Sequence, residues 1–158
     1  MGSTHNVAGL NPSSCAPCHG GASFTFEGFR TPGTPDFDGD GDTAESRLSE
    51  IQGLEVALYA EIQSYAAAQG KPIAYDGNTY PYFVNDTNGN GVADPDELDR
   101  NNSYSDFDAT LLKAAFNYQV AHKDGGKYAH GGKYIVELLY DAIADLNAGL
   151  ATPVDMTA

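Results

Sequence analysis

Basic residues are scarce in this sequence. Its 158 residues include 8 Lys and Arg against 22 Asp and Glu, which gives a formal net charge of −14. A surface of this sign repels nucleic acid and anionic membranes, so those partners are excluded. It attracts metal cations or a basic protein surface instead.

Long apolar runs are absent as well. No run of apolar residues is long enough to span a bilayer, so no transmembrane segment is predicted. The hydrophobic fraction of 41% still excludes a disordered chain, while 18 Gly and 8 Pro indicate many loops. A length of 158 residues suits a single domain, 1–158, with a core of its own.

Cysteine is nearly absent, and both cysteines fall in one motif, Cys15-Ala16-Pro17-Cys18-His19. Two thiols separated by two residues and followed by histidine are the attachment signature of c-type haem. One helical turn brings Cys15 and Cys18 to one face, where each can form a thioether to a haem vinyl group, and His19 can ligate the iron. A zinc site is disfavoured because there is no second cysteine pair, and a thioredoxin-like dithiol because no βαβ pattern surrounds the motif.

The sixth ligand of such an iron has few candidates. Methionine is disfavoured because Met1 and Met156 both lie near the chain ends. The remaining histidines are His5, His122 and His130. His130 is favoured because it stands beside a Gly-Gly pair at the start of an apolar helix, where the backbone can pass close to the macrocycle. His122 has polar neighbours typical of a solvated side chain, and it stays the alternative.

Acidic residues concentrate in two loops, of which the first loop spans 36–45. Aspartates alternate there as in the first half of an EF-hand, and Gly41 stands where that loop bends. Position 12 of the pattern is Arg47, so Glu45, or alternatively Glu50, must complete the shell. Oxygens this dense repel one another without a cation, which favours calcium over a solvated acidic turn. The predicted ligands are Asp36, Asp38, Asp40, Asp42 and Glu45.

The second loop, 86–97, matches a complete 12-residue EF-hand loop. Position 6 is Gly91, and position 12 is Glu97, the bidentate closing ligand. The segment before the loop has an extended pattern, so we expect a structural clamp without the helix pair of a calcium sensor. The predicted ligands are Asp86, Asn88, Asn90, Val92 through its carbonyl, Asp94 and Glu97.

Apolar spacing predicts a mainly α-helical, loop-rich fold with one small β-hairpin. Residues 47–69 carry apolar side chains every three or four positions, which predicts a long helix ended by Gly70. Residues 73–84, with an Asp-Gly pair, predict the hairpin. Residues 103–106 should cap a helix whose apolar residues are Leu111, Leu112, Ala115, Phe116 and Val120. A glycine-rich break and a last amphipathic helix, ending near Gly149, complete the chain.

The order of these motifs resembles the C-terminal type of domain found in c-type cytochromes, often multihaem ones, of metal-reducing bacteria. The resemblance covers most of the chain, and it implies that the histidine of the late Ala-His pair, here His130, is the distal haem ligand. Such proteins usually carry further haem motifs, whereas this chain has one, and usually have Pro where it has Gly125. The matching segments are 15–19, 36–41, 86–94, 117–119, 122–126, 129–130 and 133–141.

These motifs predict electron transfer by one covalent haem c with bis-histidine ligation, stabilised by two bound Ca²⁺ ions. An enzyme is disfavoured because saturated ligation leaves no open iron position. The expected partners are other cytochromes or copies of the same chain, within a polymer or multi-cytochrome array. The alternatives are a peroxidase-like haem enzyme with an open distal site and a calcium-dependent structural module.

Covalent haem attachment is normally completed outside the cytoplasm, so we expect a periplasmic or extracellular location. Residues 1–5 have neither the basic nor the apolar region of a signal peptide. We therefore expect either a leader already removed or a segment of a longer exported chain.

Overall fold

Helices dominate the fold in the computed structural model, which describes residues 13, 15–19, 21, 25, 27–30, 32–129 and 131–153. The elements are α1 (Ala16–His19), α2 (Arg47–Ala68), β1 (Ile73–Tyr75), β2 (Phe83–Asn85), a 3₁₀ turn (Arg100–Asn102), α3 (Ala109–Lys123) and α4 (Gly132–Asn147). This order confirms the prediction of a mainly α-helical fold with one small hairpin.

The central element is α2, whose bounds agree with the predicted helix. Ser46 caps its N-terminus by accepting a 3.1 Å hydrogen bond from the Ser49 amide. Past its C-terminus Gly70 adopts φ +71°, which lets the Lys71 amide turn back to the Ala66 carbonyl at 3.0 Å. The predicted apolar stripe faces the core, where four of its members are 0% exposed: Ile51, Leu54, Leu58 and Ile62.

Helices α3 and α4 pack on α2 to form a three-helix bundle. α4 runs parallel to α2, because Gly132 at its start lies against Arg47 and Gly149 past its end lies against Tyr65. α3 runs antiparallel to α2, because Asp108 at its start accepts a 3.0 Å hydrogen bond from the Tyr65 hydroxyl near the end of α2. Buried apolar side chains of the three helices and both strands form one core.

The sheet is an antiparallel pair of short strands. The Asp76-Gly77 pair lies in the connection 76–82 but does not join the strands directly, since β2 begins only past Pro81. One further backbone bond, from the Asp76 amide to the Tyr82 carbonyl at 2.8 Å, precedes β2, and Pro81 before it has no amide to extend the ladder. The paired residues are Ile73 with Asn85, Ala74 with Val84, and Tyr75 with Phe83.

The predicted start of α3 is wrong. Residues 103–106 do not cap the helix; Asp108 does, by accepting a 2.8 Å hydrogen bond from the Leu111 amide. A competing contact explains the difference, because the Tyr104 amide donates to the Phe83 carbonyl at 3.1 Å. Backbone held extended against β2 cannot also begin a helix.

Part of the apolar surface predicted for α3 faces outward. Leu111 is 0% exposed, but Leu112 and Phe116 are 54% and 64% exposed, so only one side of the helix enters the core. The apolar residues therefore do not all mark the buried face. Across the residues that the structure describes, no helix combines the length and the apolar character needed to cross a membrane.

Candidate haem and cation sites

The cysteine motif forms one helical turn. α1 covers Ala16–His19, and the Cys18 amide donates to the Cys15 carbonyl at 3.1 Å. Both thiols are free, and Cys18 is exposed. Two free thiols on one turn fit the attachment of a single planar group along that turn. The His19 side chain and the whole of His130 lie outside the described residues, so both predicted iron ligands stay predictions.

The segment after the cysteine motif runs to the end of the bundle where α3 stops and α4 starts. The Tyr128 hydroxyl donates a 3.2 Å hydrogen bond to Glu27, and the Arg47 amide donates one of 3.0 Å to the Phe29 carbonyl. Tyr128 stands two residues before His130 in the chain. These contacts bring the chain that follows the motif toward the chain that precedes His130.

Of the four histidines, only His122 has its side chain among the described residues. Its ring stacks on Tyr118, with centroids 5.3 Å apart and planes at 16°, and meets Tyr75 edge-on at 5.6 Å. Its Nδ1 lies 3.9 Å from Glu55 Oε2, and a Cβ built at Gly77 would stand 3.5 Å from its Nε2. The side chain is 44% exposed, so the ring packs on tyrosines while part of it stays open to solvent.

The first and second loops share one backbone geometry at their start. Asp36 accepts hydrogen bonds of 2.8 Å from the amides of both Gly39 and Gly41. Asp86 accepts the equivalent bonds, at 2.7 and 2.8 Å, from two glycine amides of the second loop. This geometry curls each loop around the place where an EF-hand holds its ion. The glycines concerned have φ between +73° and +90°: Gly39, Gly41, Gly89 and Gly91.

The predicted ligands of the second loop converge. The side-chain amides of Asn88 and Asn90 each donate to Asp94 Oδ2 at 2.8 Å. The Val92 amide donates to Asn90 Oδ1 at 2.7 Å, while the Val92 side chain is exposed. Three of the six predicted ligand side chains, those of Asn88, Asn90 and Asp94, are therefore joined by hydrogen bonds.

Glu97 occupies the closing position of the second loop and is 3% exposed. Its carboxylate accepts hydrogen bonds from the Thr87 amide at 2.6 Å, the Thr87 hydroxyl at 2.7 Å and the Asp94 amide at 3.2 Å. The Thr87 hydroxyl bond is the main cause that lowers the pKa of Glu97, against the opposing effect of burial. The closing carboxylate is thus held as an anion.

The first loop closes through a different set of carboxylates. One carboxylate oxygen from each of Asp38, Glu45 and Glu50 lies within 4.8 Å of the other two. The same holds for one oxygen from each of Asp36, Asp38 and Asp40. Glu50 is 0% exposed and accepts a 2.7 Å hydrogen bond from the Phe37 amide. Glu45 Oε1 is buried without a hydrogen-bond partner among the described residues. Neither trio includes the exposed Asp42.

Crowding perturbs the acidity of this trio. Desolvation, followed by repulsion from Asp38 and Glu50, raises the pKa of Glu45 to about 7. Desolvation, together with repulsion from Asp40 and Glu50, raises the pKa of Asp38 to about 6. For Asp36, desolvation acts in the same direction, but bonds from two glycine amides outweigh it and lower the pKa. Carboxylates that repel each other in this way favour a divalent cation between them.

Sequence reasoning missed the residues of α2 on which the loops rest. A Cβ at Gly53 would lie 1.6 Å from Asp38 Oδ2, so the first loop packs directly on the helix backbone. Gln63 Nε2 donates to the Gly91 carbonyl at 2.7 Å and fastens the second loop two to three turns farther along α2. The only sequence signal for the contact between Asp38 and Gly53 is a glycine within a helix of regularly spaced apolar residues.

No protein-family model and no solved structure matches the chain. The curated proteins to which it is similar are named as C-type polyheme cytochromes. The similarity extends over nearly the whole chain, which is therefore a domain related to multihaem c-type cytochromes.

Two relatives come from Geobacter sulfurreducens. The C-type polyheme cytochrome OmcB is 29% identical over 164 residues, which cover 98% of this chain and 19% of OmcB. The C-type polyheme cytochrome OmcC is 31% identical over 150 residues, which cover 89% of this chain and 16% of OmcC. The chain thus spans less than a fifth of the length of these relatives.

Proposed function

We propose that this chain is an electron-transfer domain that carries one covalent haem c. Cys15 and Cys18 hold the macrocycle through thioethers, His19 is the proximal iron ligand and His130 the distal one. The observation that supports this most is the free cysteine pair on one helical turn, in a chain related to polyhaem c-type cytochromes.

The bound haem supplies one-electron chemistry through its iron. The residues of the chain anchor the group, provide two imidazole ligands and shield it from water. Two histidine ligands leave no iron position open to a substrate, so the domain passes electrons and does not catalyse a reaction of its own. Histidine in place of methionine keeps the reduction potential toward the low end of the haem range.

Two contacts support His130 over His122 as the distal ligand. The His122 ring stacks on Tyr118 and meets Tyr75 edge-on, so iron binding at His122 would compete with these contacts. The hydrogen bond of 3.2 Å between Tyr128 and Glu27 draws the segment beside His130 toward the cysteine motif.

We further propose that each acidic loop binds one Ca²⁺. In the first loop the ligands are Asp36, Asp38, Asp40, Asp42 and Glu45; in the second they are Asp86, Asn88, Asn90, the Val92 carbonyl, Asp94 and Glu97. Glu45 Oε1, which is buried and has no hydrogen-bond partner among the described residues, supports the first site, since such an oxygen needs a donor or a cation. Both ions then act as clamps that hold irregular backbone against α2.

The proposed location is the periplasm or the cell exterior, where covalent haem attachment is completed. The proposed partners are other cytochromes or further copies of this chain. A single haem moves electrons over distance only where other haems approach it, so the domain works within a polymer or a multi-cytochrome array.

The test is the absorption spectrum of the purified haem-loaded protein and of two variants. We expect low-spin, six-coordinate iron in the wild type and a high-spin spectrum in His130→Ala, with the haem still covalently attached because both cysteines are intact. His122→Ala is the matched control and should keep the wild-type spectrum.

Three results would contradict this proposal in different ways. An unchanged low-spin spectrum in His130→Ala would assign the distal position to His122 or His5. A high-spin wild type would indicate the open site of a haem enzyme. If the protein lacked haem even when produced together with the haem-attachment machinery, a calcium-dependent structural module would be the remaining alternative.

A further inference from the structure

Arg30 lies outside the first loop, yet its side chain holds both ends of that loop. Its Nη1 donates to the Glu45 carbonyl at 2.9 Å, at the end of the loop. Its Nη2 donates to the carbonyls of Thr34 at 2.9 Å and Pro35 at 3.1 Å, directly before the loop. The guanidinium group of this side chain, which is 13% exposed as a whole, therefore bridges the two points where the loop leaves the rest of the chain.

The same guanidinium pairs with a buried carboxylate of α2 that faces the loop. Arg30 Nη1 contacts Glu50 Oε1, and the other oxygen of Glu50 accepts the Phe37 amide at 2.7 Å. Glu50 is 0% exposed and belongs to the carboxylate trio with Asp38 and Glu45. Arg30 thus carries a positive charge to the edge of the proposed cation site.

We propose that Arg30 is the positioning residue of the first cation site, closing the loop so that Asp38 and Glu45 converge on one divalent cation. The proposal rests on the calcium site proposed above and adds a residue that supplies no ligand. A loop whose ends are already joined loses less conformational freedom when the ion binds, and binding is tighter for that reason.

Considered alone, the positive charge of Arg30 predicts the opposite effect on cation binding. A guanidinium beside the site repels a divalent cation, so its removal would tighten binding if electrostatics decided. If closure of the loop decides, removal weakens binding. Lysine separates the two effects, because it keeps the charge beside Glu50 but lacks the planar fork that reaches several carbonyls at once.

The experiment is calorimetric titration of the haem-loaded full chain with Ca²⁺ alone. Glu97→Gln, measured in parallel, identifies which binding step belongs to the second loop. For Arg30→Lys we expect about tenfold weaker binding at the first loop, the effect of losing about two hydrogen bonds, with the second site unchanged. Arg30→Gln should also bind more weakly than the wild type despite its lost positive charge.

The outcomes separate this proposal from the function on which it rests. Suppose that the wild type shows two binding steps. Unchanged affinity of the first loop in Arg30→Lys, or tighter binding there in Arg30→Gln, would then show that Arg30 only neutralises Glu50. A wild type with no binding step at the first loop would overturn the calcium site and Arg30's role together. If Arg30→Gln fails to fold because Glu50 is left unpaired, Arg30→Lys, which keeps that ion pair, decides the question.

Discussion

Replacing Gly53 with alanine tests whether the first loop rests on the backbone of α2. At an ordinary helix position this change stabilises the fold by about 0.8–1.0 kcal/mol. At Gly53 the new Cβ would lie 1.6 Å from Asp38 Oδ2, 2.6 Å from its Cγ and 2.9 Å from its Cβ. Rotation of the Asp38 side chain relieves the first two clashes but not the third, because rotation leaves Cβ in place. The loop backbone must therefore move.

The magnitude follows from two opposing effects. Overpacking of this kind costs about 1–3 kcal/mol, which exceeds the gain in helix propensity. The expected net loss is about 1 kcal/mol without calcium, or about 2–4 °C in the melting temperature of a chain of this size. With calcium the loss should be larger, because displacing Asp38 removes a proposed ligand. A site at hundredfold excess of ion over Kd contributes about 2.7 kcal/mol.

The assay is thermal unfolding of the haem-loaded protein, followed by circular dichroism with calcium and with chelator. Ser64→Ala is the matched control, because Ser64 is exposed on the same helix, beside the second loop and not the first. Alanine has the higher helix propensity there. We expect the two variants to shift the melting temperature in opposite directions. If Gly53→Ala raised it as Ser64→Ala does, Asp38 would not lie against Gly53.

Two further predictions concern the acidic loops. In the calcium-free protein the pKa of Asp38 is about 6 and that of Glu45 about 7, above the ordinary values of 3.8 and 4.5. The folded state therefore binds more protons than the unfolded state, and the free energy of unfolding should fall as the pH rises from about 4 to about 7. Urea unfolding across that range should show a weaker fall in Glu45→Gln than in the wild type; equal slopes would refute the assignment. Chelation should lower the wild-type melting temperature, with recovery in calcium but not magnesium, and Glu97→Gln should lose part of that response. No change on chelation would identify both loops as solvated turns.

Helix α2 could be predicted from the sequence because its signals are local. The apolar residues recur with helical spacing, and Gly70 stands where the chain must adopt positive φ to leave the helix. The start of α3 could not be predicted in this way. Its true cap, Asp108, has the same local chemistry as the polar residues before it, and the choice was made by the distant contact between Tyr104 and Phe83.

The same division applies to the candidate sites. The positions of Asp36 and Asp86 follow from short-range bonds to glycine amides within their own loops, which the EF-hand spacing already encodes. Arg30 reaches Glu45 and Glu50 across 15 and 20 residues of sequence, and no spacing rule announces such a contact. The sequence therefore predicts the residues that form a candidate site, but not the residues that position them.

The two loops differ in what else they hold. The second loop is fastened to α2 by Gln63, away from the end of the bundle where Tyr128 contacts Glu27. The first loop lies beside the start of α2, because Asp38 packs against Gly53. Arg30, whose side chain contacts both ends of that loop, follows directly after Phe29, whose carbonyl accepts the Arg47 amide at 3.0 Å. Any change of shape in the first loop must therefore act on Arg30 and on Phe29 beside it. Equivalent changes in the second loop have no such direct path through the described residues.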